Sequence, residues 1–420
     1  MIFKQKLYRL LFLLALSTSG LGNFFLGFNL HQNIVTIIIL ILGVFILNKI
    51  QFPKWTIYMS LIIMFHTFIF NYTNIIFLDS LSHFIGFFVL LSIIYSYLKV
   101  ENLMKLLKAY YSLSYYLVLL GFLQILIFLF SEYSFLPQNI ISGQDHIGYS
   151  REIFNFFPRV SSVFSEPAHF TLFLLPSAYI SSLQFLNKIS ISNQISKKKS
   201  IIILLGFMGT FSFVAFTMLI FSLIPALLRR NKFNFLTLNL RQAFFLSFIT
   251  LFIFLLFNSI IFSKITSFGN IINQSNSEIT TSDYSGYAIV SNVYVAYNSF
   301  INTNFIGSGF NTHTLNYEKY ADINFSSSLI ELNKDDAASL YIRFLSEFGF
   351  LAFILLGIFL YKYKIPFNHS NYYYINNLSL MMILSYGIRN GSYISIFLLL
   401  FISLYYLSFV KFYSHTDKLN

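Results

Sequence analysis

The sequence predicts an all-α, polytopic integral membrane protein of about a dozen transmembrane helices with two longer extracytoplasmic loops, and three observations predict it. First, 56% of the 420 residues are hydrophobic and only 10% are charged. A soluble domain carries about 25% charged residues; in water this chain would expose large apolar patches, so its solvent is lipid. Second, apolar stretches of span length recur from one end of the chain to the other. Third, the basic residues sit in short runs between those stretches, a topology pattern that excludes a nucleic-acid surface despite the net charge of +12.

The elements follow in order. Lys4, Lys6 and Arg9 precede the first stretch, 8–26. The pattern matches a signal peptide, but many apolar segments come after it, so it reads as an uncleaved first span. Stretches 33–48, 55–71, 75–98 and 109–131 are each suited to crossing ~30 Å of hydrocarbon. Residues 132–166 then form the first long outer loop, and 167–187 the next span. Stretch 201–228 is too long for one span and short for two. Lys197, Lys198 and Lys199 precede it and Arg229, Arg230 and Lys232 follow it, so both flanks are cytoplasmic and the number of crossings is even. Two short helices turning near Thr210 to Ser212 satisfy that condition. Spans at 242–262, 340–361, 372–388 and 393–410 complete twelve, with both termini cytoplasmic.

On this topology most of the 27 Lys and Arg lie inside, with only Glu101 and Asp417 of the 15 acids. The other acids, among them Asp145, Asp283, Glu318, Asp335 and Asp336, lie outside. Acids weigh little in insertion, so their segregation points independently to an outer face that carries the chemistry. The second long outer loop, 263–339, is rich in Asn, Ser, Thr and Tyr and is expected to fold as interfacial helices over the bundle, for instance across 287–300. There is no cysteine, and the eight histidines lack ligand spacing, so neither a disulfide frame nor a metal site is expected.

Ionisable residues at the outer boundary are the informative ones, because charge lodged there is paired or used. Arg159 and Glu166 end the first outer loop, just ahead of Pro167. Glu166 fits a helix cap with Arg159 as its partner, and equally fits a reactive carboxylate. Arg343 and Glu347 stand four apart on one helix face, where they either neutralise each other or share a site. Arg389 is the third outer arginine, an interfacial anchor or an anion ligand. Three arginines on one side, from separate helices, predict an outward-facing anion site, since the planar guanidinium fork suits phosphate. Gly307 and Gly309, in IGSGF, form a turn whose amides suit a phosphate, with His313 close behind.

These motifs, RVSSVFSEPAHF at 159–170, GTFSFVAF at 209–216, IGSGF at 306–310 and SLYIRFLSEFGFLAF at 339–353, resemble in their order the O-antigen polymerase and O-antigen ligase superfamily of bacterial polysaccharide assembly. Departures from the pattern are informative. Where ligases carry His-Asn ahead of the last motif this chain has Ala338 and Ser339, which favours a polymerase. Where an arginine commonly precedes the Gly-x-Gly stretch it has Ser285, Gly286 and Tyr287, so Tyr287 takes that place uncharged. Ser212 of the Thr-x-Ser turn is followed by Phe213.

The resemblance implies a GT-C-like, metal-independent glycosyltransferase of the bacterial cytoplasmic membrane, without cofactor. It would join undecaprenyl-diphosphate-linked oligosaccharides at the outer leaflet, alongside a flippase and a chain-length regulator of the same pathway. Arg159, Arg343 and Arg389 would stabilise the diphosphate and Glu166 would serve as base, with Glu347 as substitute. Ser212, Tyr287, Gly307, Gly309 and His313 would contribute to substrate binding. A flippase is the rival reading, against which the sequence shows no internal repeat and no charge at mid-span. The topology is directly testable in this cysteine-free chain. A membrane-impermeant maleimide should label Ser277→Cys in intact spheroplasts and Asn193→Cys only after permeabilisation; the reverse pattern would refute the assigned sides.

Overall fold

The computed structural model describes residues 50–71, 76–131, 159–162, 164, 167–185, 196–212, 219, 284–321, 333–335, 337–366, 370–393 and 395–416. Among them the chain forms eleven α-helices and no strand. The expected spans at 8–26, 33–48 and 242–262, the second arm of the 201–228 hairpin and nearly all of loop 132–166 lie outside the described residues.

Helices α1 (Lys54–Asn71), α2 (Ile76–Val100) and α3 (Leu103–Ser131) coincide with expected spans. Three helices, α2, α3 and α11 (Ile396–Thr416), contain stretches long and apolar enough to cross a membrane, and α1 is a shorter apolar helix. The amide of Gln51 donates to Ser96 Oγ (2.7 Å), which ties the start of α1 to the end of α2. Lys411 Nζ donates to Glu101 O (3.2 Å), bringing the end of α11 to the same place. At the opposite end, Ser80 Oγ donates to Phe310 O (2.9 Å) and Phe310 N to Thr67 Oγ1 (3.2 Å). Lys54, Lys99 and Lys411 therefore gather at one end of the bundle, while the glycine-containing loop closes the other.

Helix α4 (Pro167–Phe185) is the centre, buried at every position from Phe170 to Gln184. Its small polar residues face protein. Its Ser177 donates to Ser114 (2.8 Å) and its Thr171 to Thr210 (2.8 Å), while Ser181 and Ser200 both share hydrogen bonds with the Tyr111 hydroxyl. Small polar residues of this kind let helices approach closely, each bond adding about 0.6 kcal/mol inside a membrane.

Helix α5 (Lys197–Gly209) has 13 residues, about 20 Å at 1.5 Å per residue, and so stops short of a ~30 Å crossing. The chain turns at Thr210–Ser212, where the turn was expected, with Phe211 in the left-handed region (φ 47°).

Beyond it lie α6 (Tyr284–Asn302) and α7 (His313–Tyr320), both within residues 263–339, the segment expected as the second long outer loop. The expected single span at 340–361 is instead two helices, α8 (Leu340–Phe348) and α9 (Phe350–Lys362), broken at Gly349. The physical reason is a foreign backbone. Phe350 N donates to Phe305 O (3.2 Å), and a Cβ on Gly349 would stand 2.0 Å from that oxygen. Gly349 has φ 54° and Gly307 has φ 87°, conformations that side chains make costly. Helices α10 (Asn371–Arg389) and α11 pack as the closing pair, with Asn376 Nδ2 donating to Tyr363 O (3.0 Å) and Tyr405 O (2.9 Å). Replacing Gly349 by alanine combines backbone strain with overpacking, so Gly349→Ala should cost on the order of 2 kcal/mol or more and lower the Tm of detergent-solubilised protein by several degrees. An unchanged Tm would contradict the close approach.

Candidate functional site

At the loop end of the bundle a single carboxylate gathers four donors from three segments. Glu347, fully buried on α8, receives Arg343 Nε (2.8 Å), Asn311 N (2.9 Å), His313 N (3.3 Å) and the Tyr393 hydroxyl (2.7 Å). Four donors fill the acceptor capacity of a carboxylate. Arg343 and Glu347 do lie one turn apart on one face, as their spacing predicts, and the buried pair neutralises itself in cis. The rest of the Arg343 guanidinium is held as firmly. Nη2 donates to Asn311 Oδ1 (2.7 Å) and Nη1 to the carbonyls of Asp335 and Gly391 (3.3 Å each), and the group lies 4.5 Å from the centre of the Tyr393 ring.

The Gly307–Gly309 loop uses its amides within the protein. Ser308 N donates to Ser346 O (3.2 Å) and Gly309 N to Glu347 O (2.7 Å), covering carbonyls left without partners where α8 ends. Gly307 N goes to Thr303 Oγ1 (3.0 Å). A Cβ on Gly307 would meet the Glu347 backbone at 2.4 Å, so glycine is required here by contact with α8. The amides expected to cradle a phosphate are thus engaged with a helix end.

His313 opens α7 with its side chain fully buried. Its Nε2 pairs with Asn292 Oδ1 (2.8 Å), and Asn292 Nδ2 donates to Ala288 O (2.6 Å), which orients the amide so that Nε2 carries the proton. Nδ1 is then a buried acceptor without a hydrogen bond. Burial, aided by the nearby Arg343 charge, lowers the imidazole pKa from 6.5 to about 3, so the ring is neutral at physiological pH.

Arg159 belongs to another set of partners. Half-buried, it donates from Nε to Thr210 O (2.9 Å) and from Nη2 to Phe211 O (3.1 Å), while Val160 N reaches Gly209 O (2.9 Å). Three successive carbonyls at the end of α5 are thereby capped, and a cation at that end also complements the helix dipole. Ser212 is buried in the same turn. Arg389 is the last residue of α10, and Gly391 two positions on is the residue whose carbonyl Arg343 holds, so the Arg343 and Arg389 segments are adjacent. The side chains of Arg389 and Tyr287 lie outside the described residues, although the backbone of Tyr287 is in the first turn of α6. Glu166 lies outside them altogether.

Sequence reasoning missed Asn292, Asn311 and Tyr393. Asn311 follows the Gly-x-Gly stretch directly and Tyr393 follows Arg389 by four residues, so proximity to singled-out motifs was the available signal. Asn292 had none. Among the described residues no group of three or more His, Cys, Asp or Glu is arranged to hold a metal.

Tyr393 also forms part of the wall of an apolar cavity of about 170 Å³ between α1, α2, α8, α9, α10 and α11, which extends to Trp55 and Phe359. One end of this cavity therefore adjoins the charged cluster.

The chain matches no protein-family model, no curated protein and no solved structure.

Because Arg343 is buried against Glu347, removing one partner alone leaves an uncompensated charge. Glu347→Leu should cost about 3–5 kcal/mol, measured by denaturant unfolding in micelles. Adding Arg343→Met should recover much of that loss; equal losses in the single and double variants would deny the coupling.

Proposed function

We propose that the chain is a repeat-unit polymerase of the bacterial cytoplasmic membrane. It moves a growing glycan from undecaprenyl diphosphate to a sugar hydroxyl of the next lipid-linked oligosaccharide, at the outer leaflet. The observation that carries this reading is the junction at Tyr393, where an apolar cavity meets a buried charged cluster. A substrate with a hydrocarbon tail and an anionic, sugar-bearing head has those two needs in that order. The order of motifs in the sequence is consistent with it, as are the twelve spans, the inside termini and the outer-side acids that the sequence leads one to expect.

In the proposed reaction the bond from the anomeric carbon to the diphosphate oxygen breaks as the acceptor hydroxyl oxygen bonds to that carbon. The hydroxyl proton passes to a base and the diphosphate leaves with the extra negative charge. Cationic donors fixed at the leaving group stabilise this transition state more than the ground state. Arg389 is proposed for that contact, and Arg343 for holding the Arg389 turn through Gly391 O; Arg159, committed to the carbonyls after α5, is left in a capping role. The base falls to Glu166, because the four donors on Glu347 leave that carboxylate no basic lone pair.

One observation favours the rival flippase: the helix broken at Gly349, since transporters build ligand sites on the ends of half-helices. Here the end of α8 is covered by Ser308 N and Gly309 N, which weighs for the polymerase. In proteoliposomes supplied with undecaprenyl-diphosphate-linked oligosaccharide, the purified chain should produce a polymer ladder and free undecaprenyl diphosphate. Movement between leaflets without new glycosidic bonds would establish the flippase, and transfer of a finished glycan to a lipid acceptor would establish a ligase. Arg389→Ala should slow elongation roughly 100-fold, the usual loss for one charge-stabilising donor.

A further inference from the structure

Helix α6, expected as an interfacial helix over the bundle, is turned inside out relative to a helix in water. Its outward stripe is Ile289, Val293, Tyr297 and Ile301, between 40% and 58% exposed. Its inward face buries Ser291, Asn292 and Ser299 beside Ala288, Val295 and Ala296. Those buried polar groups are in use: Asn292 holds His313, and Ser299 Oγ donates to Ser346 O (2.9 Å). In water an amphipathic helix turns its apolar stripe inward and its polar residues outward. The reverse arrangement is stable where the surroundings are themselves apolar. Residues 284–302 also contain no Asp, Glu, Lys, Arg or His, and the two outward amides, Asn298 and Asn302, each donate to a carbonyl one turn back (2.9 and 2.8 Å).

What covers the stripe follows from its continuation. At the end of α6 the ring of Phe300 packs on those of Phe305 and Phe350 (4.9 Å each). Phe305, Ile306 and Phe350 are exposed, and they carry the apolar surface on to the exposed Ile354 and Ile358 of α9. His66 Nε2 at Ile306 O (3.0 Å) links the same surface to α1, with its exposed Phe65 and Ile69. The outward stripe of α6 is thus one end of the surface that the apolar helices α1 and α9 present. Immediately beyond, α7 exposes Glu318 and Lys319, which require water.

We infer that α6 lies in the outer leaflet, with Ile289, Val293, Tyr297 and Ile301 against lipid acyl chains and the water boundary passing between α6 and α7. The second long outer loop then does not simply sit above the bundle. Part of it is a lipid-bound helix beside the bundle, and its inner face fixes Asn292 and Ser299 under the candidate site. The bilayer is a partner of that site through α6, whatever reaction the site performs.

The chain has one tryptophan, Trp55, which makes the test direct. Tyr297→Trp is placed in a Trp55→Phe background and reconstituted into phosphatidylcholine vesicles with or without bromines on the acyl chains. An in-plane helix sits roughly 5–10 Å into the headgroup and acyl boundary, so brominated lipid should cut the emission on the order of twofold while aqueous iodide does little. Glu318→Trp in the same background should respond the opposite way. Quenching of the Tyr297→Trp emission by iodide and not by bromolipid would overturn the inference. So would quenching by neither reagent together with disulfide-linked dimers of Tyr297→Cys, which would show a second copy on the stripe. Val293→Trp repeats the measurement should Tyr297→Trp lower the Tm.

Discussion

A helix that ends inside a membrane bundle leaves up to four carbonyls with no water to receive them, and each must be met by a donor from elsewhere in the chain. Two helices here end that way. Helix α5 stops after 13 residues, and Arg159 and Val160 arrive from a distant loop to cover residues 209–211. Helix α8 stops at Phe348, and Ser308 and Gly309 cover Ser346 and Glu347. Much else is a consequence of these two caps. Position 159 carries the residue whose fork spans two carbonyls. Positions 307 and 349 are glycine because capping strand and capped helix touch backbone to backbone, with no room for a Cβ.

The second cap also builds the candidate site. Bringing residues 307–313 against the end of α8 delivers the amides of Asn311 and His313 to the Glu347 carboxylate, which would otherwise be a buried charge with one partner. Tyr393 completes the set and passes its ring beneath Arg343. Loop, helix and the turn after α10 are locked by one carboxylate, so the polar floor is rigid, and the apolar cavity begins on the other side of the same tyrosine. Preorganised charge beside an apolar cavity suits a substrate that is half lipid and half anion, and it costs no reorganisation when charge develops.

Two solvents shape the remainder. Toward lipid, α1 and α9 expose mainly Phe and Ile, and α6 exposes Ile, Val and Tyr. Where protein is outside, α4 is rich in Ser and Thr and is buried throughout. In this fold small polar residues are interspersed through the apolar interior, as helix packing favours when lipid tails are as apolar as leucine.

Composition and charge runs alone determined the helical class, the span positions at 75–98, 109–131 and 393–410, the end of α5 near Thr210 and the pairing of Arg343 with Glu347. All are local properties: hydropathy over about twenty residues, flanking charge, or a four-residue helix step. Only the tertiary structure decided that span 340–361 breaks at Gly349, that Arg159 and the Gly307 loop act as caps, that Asn292 orients His313, and that α6 turns its apolar stripe outward. Each depends on a backbone or side chain brought from tens to hundreds of residues away. A window along the chain contains the helix that ends but not the segment that meets its end, and that segment fixes which donors are used and which face meets lipid.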